Sequence, residues 1–114
     1  RPETIFYQGL ALQRLNRSVE AQTRFKNLID YGTTHLNDVV KLDYFAVSLP
    51  DLLIFNDDLS HRNHIHCHYL QGLGYLGLEQ FTAAIEHLDN VLRLDQSHQG
   101  AVVHKTLLQL SQTL

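Results

Sequence analysis

Three histidines at helical spacing are the residues of this chain best suited to chemistry. His61, His64 and His68 fall at i, i+3 and i+7, so an α-helix would present them on one face. Imidazoles on adjacent helical turns can share a zinc or nickel ion, because both nitrogens come within coordination range. The alternative is that these histidines lie at the surface or between helices, satisfied by backbone carbonyls or water. We favour this alternative and predict that the domain holds no metal and no other cofactor.

Cys67 is the single cysteine of the chain and the next candidate for chemistry. A catalytic thiol needs a base, an oxyanion site and an exposed, electropositive setting. The neighbouring histidines would supply a base, but an apolar run follows Cys67, which is typical of a small buried side chain. The acidic pair Asp57 and Asp58 has no partner that we can identify for acid–base catalysis. We therefore predict that this domain is not an enzyme.

The overall composition restricts the classes of partner. The 114 residues are 44% apolar and 18% charged with a net charge of −3, as expected for one globular domain. The sequence contains no basic stripe to match a phosphate backbone, so we predict no nucleic-acid binding. The apolar runs are far shorter than the ~20 residues of a membrane span, so we predict no membrane insertion. One cysteine cannot form an internal disulfide, which suits the reducing cytoplasm, where we expect the protein.

An internal repeat is the strongest indication of architecture. Residues 8–12 (QGLAL) and 71–75 (QGLGY) match at an offset of 63 (72 minus 9). The match continues with apolar residues at the same offset: Leu15 and Leu78, Ala21 and Ala84, Phe25 and Leu88, and Leu28 and Val91. Self-similarity of this kind predicts a helical repeat, in which each helix pair buries its apolar stripe against its neighbours.

We predict an all-α fold of about six or seven helices in a single domain. Two helix hairpins cover about residues 2–35 and 65–98, an irregular insert lies at about 36–64, and a closing helix follows at about 98–113. Gly32 is expected to end the second helix as a left-handed cap. A short buried helix is expected to begin near Pro50 and to stop at residues 56–58. In the closing helix the residues expected to face inward are Val103, Leu107 and Leu110.

The repeat resembles the tetratricopeptide repeat, a helix hairpin of about 34 residues. The second copy fits better, through small and large residues that would let the two helices nest: Gly72, Tyr75, Phe81, Ala84, Leu88, Val91 and Leu94. The first copy has Ser18 where Phe81 stands in the second. The usual proline after the second helix is Thr33 in the first copy and Gln96 in the second. The resemblance implies a superhelical stack of hairpins that binds proteins.

A narrower resemblance covers the centre of the chain. Residues 43–53 (DYFAVSLPDLL) and 63–70 (NHIHCHYL) are similar to the C-terminal repeat region of a bacterial family of uncharacterised function. Members of that family carry a large N-terminal β-rich part that resembles carbohydrate enzymes. The resemblance implies that this chain is the helical tail of a longer protein. Any sugar chemistry would then belong to the N-terminal part.

In tetratricopeptide repeats the first helix of each pair lines a groove for a peptide or a partner helix. By register, the positions here are Phe6, Leu10 and Gln13, bordered by Arg14, in the first copy, and Tyr69, Leu73 and Leu76 in the second. We therefore predict a non-catalytic interaction or assembly module. Its partner would be its own N-terminal domain, a homodimer mate or another protein. Two alternatives remain open: the central segment fills the groove itself, or the histidine cluster makes the chain a metal-binding part of an enzyme.

Overall fold

α-Helices form every regular element of the described chain. The computed structural model describes the backbone of residues 1–38 and 50–113 and the side chains of residues 1–38 and 58–112. Five helices occupy this part: α1 Pro2–Arg14, α2 Ser18–His35, α3 Pro50–Gly77, α4 Phe81–Leu94 and α5 Gln99–Thr113. The described residues contain no strand, so the prediction of an all-α fold is confirmed. The predicted irregular insert, about residues 36–64, lies outside the described residues only at 39–49, whereas residues 50–64 are helical and belong to α3.

The helices pack in chain order as two antiparallel hairpins and a fifth helix. α1 packs against α2 and α3 against α4, and the most extensive contact joins the hairpins through α2 and α3. α1 also touches α3, while α5 rests mainly on α4 and touches α3. One core runs through all five helices, and its buried residues are Phe6, Ala21, Phe25, Leu28, Tyr69, Leu70, Leu73, Leu88, Val91 and Ala101.

The turns of the two hairpins have the same backbone geometry. Asn16 and Glu79, which occupy equivalent positions in the repeat, both adopt a left-handed conformation, with φ of 60° and 61°. Each residue follows the end of a helix, where a left-handed residue turns the chain and lets later amides reach back to the last carbonyls. In both turns an amide donates to the carbonyl five residues earlier at 2.9 Å: Arg17 to Leu12, and Gln80 to Tyr75.

Glycines bring the helices of each hairpin close together. A Cβ added at Gly9 would overlap the Phe25 ring, and a Cβ at Gly72 would lie 2.8 Å from Leu88 Cδ2. These two pairs are equivalent in the repeat, so the same contact of glycine with a large side chain joins each hairpin. Gly77 abuts the Phe25 ring as well, although it belongs to α3. The Phe25 ring therefore contacts both helices that lie beside α2.

Two predicted helix ends are wrong. Gly32 does not end α2, which continues to His35, and no described glycine has a positive φ. A Cβ at Gly32 would lie 2.7 Å from the carbonyl oxygen of Cys67, so this glycine permits the close approach of α2 and α3. Residues 56–58 do not stop a helix either, because α3 runs without a break from Pro50 to Gly77.

The predicted inward face of α5 is also wrong. Val103, Leu107 and Leu110 are 50, 54 and 57% exposed and form an outer stripe along the helix. The residues that α5 buries are Ala101, His104 and Leu108. Both sets of residues have helical spacing. Gly100 favours burial of the second set, because its lack of a side chain lets α5 approach the Tyr69 ring closely.

Candidate functional site

A groove lies between α1 and α5 and is closed at its base by the end of α3 and the start of α4. This α1–α5 groove has a volume of about 390 Å³. Its lining residues are Phe6, Tyr7, Leu10, Gln13, Leu76, Gly77, Glu79, Phe81, His104, Leu107, Leu108 and Ser111. Most of these side chains are apolar or aromatic, and the carboxylate of Glu79 is exposed. A surface of this kind favours an apolar ligand.

Four of the seven residues predicted to bind a partner line this groove. Phe6, Leu10 and Gln13 come from α1 and Leu76 from α3. Phe6 is only 4% exposed and also belongs to the core, so it forms the inner wall of the groove and presents little surface to a partner. The Gln13 amide also donates to the carbonyl oxygen of Gly77 at 3.2 Å, which fixes α1 beside α3. A fifth residue, Arg14, lines an adjoining depression along α1 with Tyr7, Leu10, Ala11 and Leu15.

The remaining two predicted groove residues belong to the core. Tyr69 is 3% exposed and Leu73 is fully buried, so neither is available to a partner. For Tyr69 the cause is α5, whose Gly100 lies directly on the phenol ring. The repeat register placed Tyr69 and Leu73 correctly on the first helix of the second hairpin. It takes no account of the closing helix, α5, which covers this part of α3.

A polar network holds the α5 wall of the groove. Tyr69 donates a hydrogen bond to Glu3 Oε1 at 2.9 Å and so connects α3 with the start of α1. His104 Nδ1 donates to the carbonyl oxygen of Gly100 at 2.7 Å, which leaves Nε2 to accept from the Tyr7 hydroxyl at 3.2 Å. These side-chain bonds fix α1 and α5 as opposite walls, with a gap between the helices.

Electrostatics favour the ionised carboxylate and the neutral phenol in this network. Burial, followed by the hydrogen bond to Glu3, raises the pKa of Tyr69. Burial alone would raise the pKa of Glu3 as well, but hydrogen bonds from its own backbone amide and from Tyr69 lower it below the ordinary value. The Tyr69 hydroxyl therefore keeps its proton and donates to a charged acceptor, which makes a strong hydrogen bond.

The three histidines at helical spacing do not form one cluster. His61 is exposed, whereas His64 and His68 meet edge to face with ring centroids 5.0 Å apart. The closest partner of His68 is His87 of α4, with 3.1 Å between their Nδ1 atoms. Tyr75 stacks on the His87 ring at 5.4 Å. Among the described side chains, no three His, Cys, Asp or Glu residues are placed to hold a metal ion.

Burial keeps the His68–His87 pair neutral. Burial, followed by repulsion from the protonated forms of His87 and His64, lowers the pKa of His68 to about 4. Burial also lowers the pKa of His87. A neutral imidazole both donates and accepts, so one Nδ1 can donate to the other. His87 could not be recognised from the sequence as a partner of His68, because it lies on another helix and the helical period relates only residues of one helix.

Cys67 is fully buried, as the sequence analysis predicted. Burial, with a smaller effect from the Asp38 charge, raises the pKa of its thiol. The nearest polar contact joins Cys67 Sγ to Asn63 Oδ1 at 3.6 Å. A buried thiol with a raised pKa is a poor nucleophile, so its described surroundings do not favour nucleophilic catalysis.

A further depression of about 370 Å³ lies where the start of α1 meets α2 and α3. Its lining residues are Arg1, Pro2, Ile5, Asn27, Leu28, Tyr31, His66 and Leu70. None of these residues was predicted to bind a partner. No signal in the sequence indicates this depression, because its residues come from three helices with no common period.

Comparisons with known proteins give no family for this chain. No protein-family model matches it, and no solved structure matches it significantly. None of the helices in the described part of the chain is long and apolar enough to span a lipid bilayer.

Proposed function

We propose that this chain is a non-catalytic protein-binding or assembly module built from tetratricopeptide-like hairpins. The observation that carries the proposal is the α1–α5 groove, whose lining is mostly apolar and whose volume is about 390 Å³. Monomeric proteins rarely expose an apolar concavity next to further exposed apolar side chains unless it serves binding. Here the outer stripe of α5, defined by Val103, Leu107 and Leu110, adjoins the groove at Leu107.

The order of helix packing supports a tetratricopeptide-like arrangement. Each helix packs on the next in the chain, and α1 also reaches α3, as the first helices of successive repeats would. Ala21 and Ala84, equivalent small residues of the repeat, are both fully buried at the contacts within the hairpins. The shared turn geometry at Asn16 and Glu79 supports the same arrangement.

The chemistry of the groove favours a helix with an apolar face as its ligand. Leu10, Leu76 and Phe81 provide apolar surface, while Gln13 and Ser111 are exposed and polar. An amphipathic helix binds such a groove through apolar residues spaced i, i+3, i+4 and i+7. This helix would come from the protein's own N-terminal domain, a homodimer mate or another protein.

The proposal is tested with a fluorescent reporter on the groove. Ser111 is exposed and lines the groove, so Ser111→Cys can carry an environment-sensitive dye, while Cys67 is buried and reacts slowly. The labelled protein, kept below micromolar concentration, is titrated with a synthetic leucine-faced amphipathic helix and with a peptide of the same composition in scrambled order. The matched control carries the dye at Val19→Cys, which is 76% exposed on α2 and outside the groove.

We expect a saturable blue shift with the amphipathic helix at Ser111→Cys and no shift at Val19→Cys or with the scrambled peptide. Equal responses at both positions would mean that the peptide adheres non-specifically. Such a result, or no saturation at Ser111→Cys, contradicts the proposed function.

A further inference from the structure

We propose that the ligand of the α1–α5 groove is a second copy of this chain, docked through the outer stripe of α5 in a twofold-symmetric dimer. The inference rests on the proposed function, since it names the occupant of the same groove. Three features of α5 support it: its two apolar faces, the position of its single charged residue, and the position of Leu107.

The first feature is that α5 is apolar on two sides. One side is buried against α3 and α4 through Ala101 and Leu108. The other side is the outer stripe, whose side chains are about half exposed. A helix that covers the end of a helical stack normally has a polar outer face. The outer face of α5 instead has the spacing of a helix that packs against another helix.

The second feature is the absence of charge from the outer stripe. Lys105 is the single Asp, Glu, Lys or Arg residue of α5. Its Nζ pairs with Asp89 Oδ1 of α4 at 2.6 Å, so this charge is already matched within the protomer. Interfaces select a foreign partner largely through complementary charges. An apolar, uncharged stripe is complementary to itself, because two copies would meet along it without like-charge repulsion; Glu79 is the one carboxylate among the residues that line the groove.

The third feature is that the protruding stripe and the receiving groove share Leu107. This residue belongs to the outer stripe and also lines the groove. A twofold axis near Leu107 would place the stripe of each copy against the groove of the other. Contacts of this isologous kind close as a dimer, whereas a stripe and a groove on distant surfaces would generate an open chain of molecules.

The test measures molar mass by light scattering on size-exclusion fractions, from about 1 μM to about 200 μM protein. We expect a concentration-dependent dimer that persists in high salt, because no ion pair contributes to the contact. Leu107→Asp and Leu107→Lys should each weaken dimerisation roughly tenfold or more, the effect of charging a central apolar contact. Val19→Asp, at an exposed site on α2, is the matched control and should leave the dimer unchanged.

Mixing the two Leu107 variants distinguishes a twofold contact from damage to the fold. The carboxylate introduced by Leu107→Asp in one copy would face the ammonium group introduced by Leu107→Lys in the other. The mixture should therefore dimerise although neither variant does so alone. Circular dichroism confirms that each variant keeps its helices. A mixture that stays monomeric, or a dimer that neither variant weakens, overturns the proposed contact.

A wild-type chain that is monomeric throughout the concentration range also overturns the second copy as the ligand. In that case the Ser111→Cys titration decides the proposed function independently. A saturable peptide signal would retain the groove as a binding site for a different helix, and its absence would reject both proposals.

Discussion

Asn16 and Glu79 lie 63 residues apart and share one left-handed backbone conformation, with φ of 60° and 61°. Asparagine tolerates this conformation far better than glutamate, whose longer side chain gains no local hydrogen bond from it. The second hairpin therefore has the less favourable residue at the same turn.

Glu79→Gly should stabilise the protein, because glycine adopts a positive φ without steric cost. We expect a gain of about 0.5–1 kcal/mol in the free energy of unfolding, measured by urea denaturation. The control is Glu86→Gly, an exposed site inside α4, which should lose about 1 kcal/mol. A loss at position 79 as well would show that the left-handed turn does not form.

Ala84→Leu should disrupt the contact between α3 and α4, because Ala84 is fully buried where the helices meet. We expect a loss of about 1–3 kcal/mol from overpacking. Ala21→Leu should cost a similar amount, since Ala21 is equally buried at the equivalent position. Ala11→Leu, at an exposed site, is the control and should stay within about 0.5 kcal/mol of the wild type. Unequal losses at 21 and 84 would contradict the equivalence of the hairpins.

Phe25→Ala should be among the most costly substitutions, because the ring is fully buried against Gly9 and Gly77. We expect a loss of about 3–5 kcal/mol in thermal or chemical unfolding. Tyr31→Ala, an aromatic site of the same helix that is 53% exposed, should cost far less. A loss at Phe25 below about 1 kcal/mol would place its ring at the surface and refute the described core.

Acid should destabilise the protein through the His68–His87 pair. The pKa of His68 is about 4 in the folded state and near its ordinary 6.5 in the unfolded chain, so the unfolded state binds more protons between these values. The stability that neutral His68 contributes is fully present above about pH 6.5 and is lost progressively as the pH decreases towards 4. We expect a loss of about 1–2 kcal/mol between pH 7 and pH 5 from this residue.

The measurement is the urea midpoint of unfolding at several pH values for the wild type, His68→Asn and His61→Asn. His68→Asn should flatten the pH dependence, whereas His61→Asn should retain it because His61 is exposed. An unchanged slope in His68→Asn would show that His68 does not remain neutral in the folded protein.

The sequence predicted the helical class and the repeat well, because each hairpin carries its own apolar period. Phe25, Leu28, Leu88 and Val91 are all buried, as their shared offset indicated, whereas Leu15, which shares this offset with Leu78, is 66% exposed. These residues pack within or beside their own hairpin, so local spacing suffices to find them.

The errors concern contacts between distant segments. A glycine such as Gly32 is typical of a helix end. Here a glycine is required for another reason, because the carbonyl oxygen of Cys67, on α3, lies too close to leave room for a Cβ. α5 has two apolar faces, and spacing alone cannot decide which of them is buried. Tyr69 was predicted to line the groove because the covering residue, Gly100, belongs to a helix outside the repeat. His87 was not predicted to contact His68 because the two residues lie on different helices, α4 and α3.

The Phe25 ring, held between Gly9 of the first hairpin and Gly77 of the second, has a consequence for how the protein unfolds. In a stack of repeats, the cooperativity of unfolding depends on how much stability comes from contacts between neighbouring repeats and how much from contacts within each repeat. The Phe25 side chain contributes both to the packing within the first hairpin and to the contact between the hairpins. Separating the two hairpins would therefore also open the first hairpin. Amide hydrogens of α1 and α3 should therefore exchange with solvent in a single concerted opening, and the two hairpins behave as one folding unit.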